Sequence, residues 1–267
     1  MVTKYFVNVC LPPTAPEDVR AALDAAMAPF DVNNPEGGNP DGEWDWWRID
    51  AGDEERFMVR PKFAGDPRLV HQATHPNGKP RDRLPHRCDG GPVGLLDFAA
   101  TRAAATARAE VRFRAEQHEF GRLAAHHPPA EPRIAFWRRH RADPHAYPLA
   151  QAVTDHQAQP LVRALSNPSA LPYPNLRLAT HVLAPDVDPI AHFTRDLRAD
   201  LRRAAAVALM AYALLTLDGQ WTEAAGPGPF TDLLPEEDPA TGFARQTGNY
   251  LESLDADCLV VRLLCHC

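Results

Sequence analysis

The sequence predicts an α+β protein in which the first and last segments share one sheet and the middle of the chain is a helical insertion. Residues 5–11 alternate with the period of two that a strand requires, and an amphipathic helix follows. Residues 240–254 form another amphipathic helix, succeeded by a strand over 258–267. Between these ends lies an Ala-rich, proline-free stretch over 95–125 with good helix composition. A strand–helix–strand unit at each end is met most simply by a ferredoxin-like, mostly antiparallel sheet with helices on one face. The expected division is 1–63 with 207–267 as the sheet core, and 64–206 as a loop-rich and helical insertion packed on it.

The elements follow in order. Tyr5, Val7, Val9 and Leu11 make one face of the first strand. Thr14-Ala15-Pro16-Glu17 has the form of a capping box, with Thr14 accepting from the backbone N–H of Glu17. Val19, Ala22, Leu23, Ala26, Met27 and Phe30 then share a helix face. Residues 31–43 are turn formers, 44–49 read as a strand, and 56–59 as another. From 61 to 92 the chain is polar, rich in Pro and Gly, and irregular. After the long helix, short helices are expected around Phe136-Trp137 and over 144–165, the latter interrupted at Pro160. The proline-rich segment 166–188 reads as linker, and 189–206 as a helix capped by Asp188. The apolar run 207–217 reads as a strand ending in the Asp218-Gly219 turn.

Composition narrows the function classes. A formal charge of −7 argues against general affinity for phosphate backbones, so the Arg-rich stretch 133–141 is a weak case for nucleic acid. Lysine occurs only at Lys4, Lys62 and Lys79, while Arg, Ala and the 27 prolines are abundant, as in high-GC coding. No apolar run is long enough to span a bilayer, and the first residues lack the form of a secretory signal. The five cysteines are odd in number and scattered, so no disulfide framework is expected and a reducing cytoplasm is the default.

Several segments carry candidate chemistry. On a strand, Trp44, Trp46 and Arg48 share one face, and an exposed indole beside an arginine can stack a planar ligand. Packing of those rings between sheet and helices is the bland and weightier alternative. His86-Arg87-Cys88-Asp89-Gly90-Gly91 can form a tight turn that presents His86, Cys88 and Asp89 together, as nucleophile with base or as a metal half-site. No second cysteine stands at zinc-site spacing, and a plain turn before the next helix is again the blander reading. At the chain's end, Cys265 and Cys267 share a face with Leu259, Val261 and Leu263, whereas His266 and Arg262 share the other. Three successive strand residues cannot converge on one ion, so no metal or cofactor is expected there. His118-Glu119 opens like a zincin motif, but Arg122 stands where the second His belongs. Phosphate-binding glycine loops and the Gly-x-Ser-x-Gly elbow are absent from the sequence.

Trp44-Asp45-Trp46-Trp47, the Ala-Leu-Leu-Thr-Leu-Asp-Gly-Gln-Trp run ending at Trp221, and Cys265-His266 together resemble a set of uncharacterised actinobacterial and actinophage proteins. In that set the Trp segment runs into Gly-Gly-Arg-Trp and the last strand carries Asp-Cys-His. Here Ile49 is followed by Asp50-Ala51-Gly52, and Leu264 precedes Cys265. The resemblance implies a phage or mobile-element setting, adds Trp221 to the candidate contacts, and makes Arg56 the nearest counterpart of the missing arginine. Two readings result. In the first, a cytoplasmic binding or accessory protein contacts a protein or small ligand through Trp44, Trp46, Arg48, Arg56 and Trp221, together with the adjacent loop. In the second, an enzyme uses Cys88, Asp89, His266 and Arg262, with His86 nearby.

Overall fold

The computed structural model describes residues 4–33, 39–72, 74, 78–81, 84–183, 187–223 and 239–267. Parts of the loops expected at 31–43, 61–92 and 166–188 lie outside the described residues. Along the chain run β1 (Lys4–Leu11), α1 (Val19–Met27), β2 (Trp46–Ile49), β3 (Phe57–Met58), β4 (Arg87–Cys88) and β5 (Gly90–Pro92). Helices α2 (Phe98–Ala124), α3 (Arg133–Ala142), α4 (Leu149–Ala158), α5 (Pro160–Leu165), α6 (Pro174–Val182), α7 (Pro189–Phe193) and α8 (Leu197–Val207) follow. The chain closes with β6 (Ala213–Leu215), β7 (Trp221–Glu223), α9 (Pro239–Ser253) and β8 (Leu259–His266).

Two compact units result. The described parts of Met1–Ala105, Arg203–Gly226 and Glu237–Cys267 form one, and Thr106–Arg202 forms the bulk of the other. The stretch up to Ala105 belongs to the sheet unit because β5 pairs with β8 and Leu95 and Leu96 are buried in that unit's core.

The first and last strands do share a layer: β1 and β8 pair antiparallel from Lys4↔His266 to Leu11↔Leu259. The order β2-β8-β1-β6-β7 makes the sheet mixed, because β6 runs parallel to β1. That parallel pair is where the arrangement departs from an antiparallel ferredoxin-like sheet; a parallel neighbour needs a long crossover, and nearly all of the intervening chain lies between β1 and β6. Helices also cover both faces. Val7, Val9, Leu11, Leu259, Val261, Leu263 and Cys265 pack on Val19, Leu23 and Met27 of α1. Cys10, Leu214 and Val260 face the opposite way, onto Leu251 of α9, Phe98 of α2, Phe57 of β3, and Leu69 and Leu95.

Along its outer edge β8 is served by two short strands in succession. β2 pairs with residues 263–266 and β5 with residues 259–261. They meet at Arg262, whose N–H donates to the Asp89 carbonyl at 2.8 Å and whose carbonyl accepts from Asp50 N–H at 3.2 Å. The Arg262 guanidinium is fully buried. It donates to Asn8 Oδ1 at 2.9 Å, to the Glu55 carbonyl at 2.8 Å and to the Leu209 carbonyl at 3.1 Å, and lies over the Phe57 ring. Burial pushes its pKa down to about 10.

Local readings differ at four places. Thr14 donates to the Pro12 carbonyl and caps nothing; a 3₁₀ turn over Pro16–Asp18 leads into α1 in place of the capping box. The apolar run 207–217 is a strand only over Ala213–Leu215, since the Ala-rich helix α8 persists to Val207 and the Leu209 carbonyl is taken by Asn8 and Arg262 side chains. The helix expected over 189–206 is divided into α7 and α8, though Asp188 caps its start as expected, accepting from Ile190 N–H. In the second unit, Leu161, Val162, Leu165, Leu176, Ile190 and Phe193 form the core. Helix α6 lies within the expected linker because Pro174, with its fixed φ, opens a helix as readily as proline interrupts one.

Close approach at Gly90 follows from the two-strand edge. A Cβ there would stand 2.5 Å from the Val260 carbonyl oxygen and 2.6 Å from Val261 Cα, so β5 could not keep its register. Gly90→Ala is expected to lower unfolding free energy by about 2 kcal/mol or more, read from urea denaturation; an unchanged midpoint would contradict the close packing.

Candidate functional site

One row of side chains crosses three strands. Because β8 pairs with both β1 and β2, the positions Lys4, His266 and Trp46 are direct neighbours on one sheet face. His266 Nδ1 and Asp45 Oδ1 are 2.5 Å apart, and Asp45 N–H donates to the His266 carbonyl at 2.9 Å. The carboxylate thereby fixes the orientation of the imidazole ring. Asn33 amide donates to the Asp45 carbonyl at 3.1 Å. These five residues line an open cavity of about 450 Å³, and Trp46 is 45% exposed there. It is a large apolar side chain left uncovered beside a cation and a histidine.

The other tryptophans serve the fold. Trp44 is buried and its indole donates to the Met27 carbonyl at 3.1 Å. Trp47 lies on the α1 face with the Arg20 guanidinium 4.1 Å above its ring. Trp221, on β7 at the far edge of the sheet, packs against Phe30. Arg48 shares the face of Trp46 but is turned inward, donating to Asp50 at 2.6 Å and to the Thr74 carbonyl at 3.0 Å. Of the expected ligand contacts, Trp46 alone stands at the open row; Trp44, Arg48, Arg56 and Trp221 lie elsewhere in the unit.

The loop candidates are likewise separated. Cys88 is fully buried against Phe57 and burial pushes its thiol up to about 12, the opposite of what a thiolate nucleophile requires. His86 is exposed, and its carbonyl accepts from Val59 N–H. Asp89 is buried and accepts from Ala51 N–H at 2.9 Å, Gln72 N–H at 2.9 Å and Arg81 Nη1 at 3.1 Å. Arg81 also reaches Asp50 at 3.0 Å and Asp53 at 3.2 Å, and Arg56 reaches Asp53 at 3.1 Å. These charges are paired; Asp50, Arg56, Arg81 and Asp89 are buried, and Asp53 lies at the exposed rim of the network. Since Asp89 bonds with Arg262, four residues before His266 on an extended strand, it stands roughly 13 Å from His266 along β8. The sheet therefore does not bring Cys88, Asp89 and Arg262 together with His266. Among the described residues no group of three His, Cys, Asp or Glu side chains is placed to hold a metal ion.

Sequence reasoning missed Lys4, Asn33 and Asp45 at the open row. Lys4 and His266 were discoverable as partners from antiparallel pairing of the two end strands; Asn33 arrives from a loop that has no period. It also missed a buried pair in the second unit, where His156 Nε2 lies 3.3 Å from Asp188 Oδ1. Asp188 carries opposing influences: burial raises its carboxyl, while hydrogen bonds from His156 and from the N–H groups of Arg133 and Ile190 prevail and hold it below the usual range.

Comparison with protein-family models, curated proteins and solved structures finds no match to this chain. Among the described residues no helix is long and apolar enough to cross a membrane.

Thiol chemistry checks the placement of the cysteines. Cys10, Cys88, Cys258 and Cys265 are buried and Cys267 is exposed. Burial also pushes the Cys10 and Cys265 thiols up to about 12. In native protein at neutral pH a disulfide reagent should modify one thiol rapidly and the rest only on unfolding. Rapid labelling of Cys88, located by peptide mapping, would restore it as a nucleophile.

Proposed function

We propose that the protein is a cytoplasmic binding or accessory protein whose contact surface is the open row at the end of the sheet. The observation that carries this reading is Trp46, half uncovered and in direct register with a histidine whose ring is held by Asp45. An indole face stacks planar rings, Lys4 supplies positive charge beside it, and the His266 ring offers a hydrogen-bonding edge held in place by Asp45. The chemistry fits a small ligand with a planar ring and an acidic group, or a protein segment presenting the same pair of features. In the resemblance, the Trp-rich segment and the terminal Cys-His strand are two separate marks; here they are paired strands, which supports a shared role and, within the same proposal, a phage or mobile-element setting.

The enzymatic alternative draws less support. A Cys88–His266 couple lacks both proximity and an ionisable thiol, and Asp89 with Arg262 is occupied by structural bonds.

Titration with phenyl phosphate, followed by intrinsic fluorescence, tests the proposal. Saturable quenching is expected, with benzyl alcohol weaker by about tenfold because it forfeits a charged hydrogen bond. Trp46→Ala should abolish the response while leaving the melting temperature within about 3 °C, as befits an exposed side chain. Undiminished binding by Trp46→Ala, or none by the native protein, would count against the site.

A further inference from the structure

We draw no further inference here: the strongest candidate, the outward face of α3 in the second unit, where exposed Arg138 and Arg141 share a helix face with Trp137 and the Arg141 guanidinium lies 4.8 Å over its ring, carries nothing because nothing in the structure shows what covers it.

Discussion

The carboxylate of Asp89 is the tie on which the outer half of the sheet depends. β8 has no single partner along that edge, only β2 and β5 in succession, and the chain must cross from one to the other at Arg262. Asp89 stands at the crossing. Its side chain gathers Ala51 N–H from the end of β2, Gln72 N–H from the loop and the Arg81 guanidinium, while its backbone carbonyl accepts from Arg262. A carboxylate this deeply buried is tolerable only when its charge is matched and its lone pairs are filled. Both conditions hold here. Opposite it, the Arg262 guanidinium joins β1 through Asn8 to the Glu55 and Leu209 carbonyls.

That junction explains how a strand of four residues can hold an exposed indole in place. β2 is too short to be held by its ladder alone, and an isolated pair of short strands is marginal in water. Anchored at Ile49–Ala51 by the charge network, and packed through Trp47 on α1, it projects Trp46 over the row formed with His266 and Lys4. The functional proposal therefore rests on a structural device some four residues away, whose parts looked catalytic in sequence. In the second unit, Asp188 has a comparable office: it caps α7, accepts from the first residue of α3 and holds His156.

Much of the architecture was legible because it is local. Alternation over 5–11 and 258–267, and the helical face from Val19 to Met27, are set by burial on one side, which leaves a periodic trace. The α+β class and the shared layer of the two ends follow from that trace. The parallel β1–β6 pair leaves none, since nothing in Ala213–Leu215 records which neighbour it will find. Prolines misled at 166–188, where Pro174 begins a helix that reasoning from composition had turned into linker. At the site, His266 and Trp46 could be named from residue type, but their adjacency depends on long-range register. The Cys88–Asp89 turn showed the converse: reactive residue types in succession, at the end of β4 and just beyond it, with the thiol in the core and the carboxylate in the charge network.

Amide hydrogen exchange of Asp89→Asn tests this dependence most directly. The substitution keeps the side chain's size and removes its charge. Asp45 and Asp50 N–H groups, which bond β2 to β8, should then exchange far faster than the β1–β8 amides, showing that the outer edge opens while the centre stays closed. Equal acceleration across both borders of β8, or unaltered protection of β2, would contradict the account.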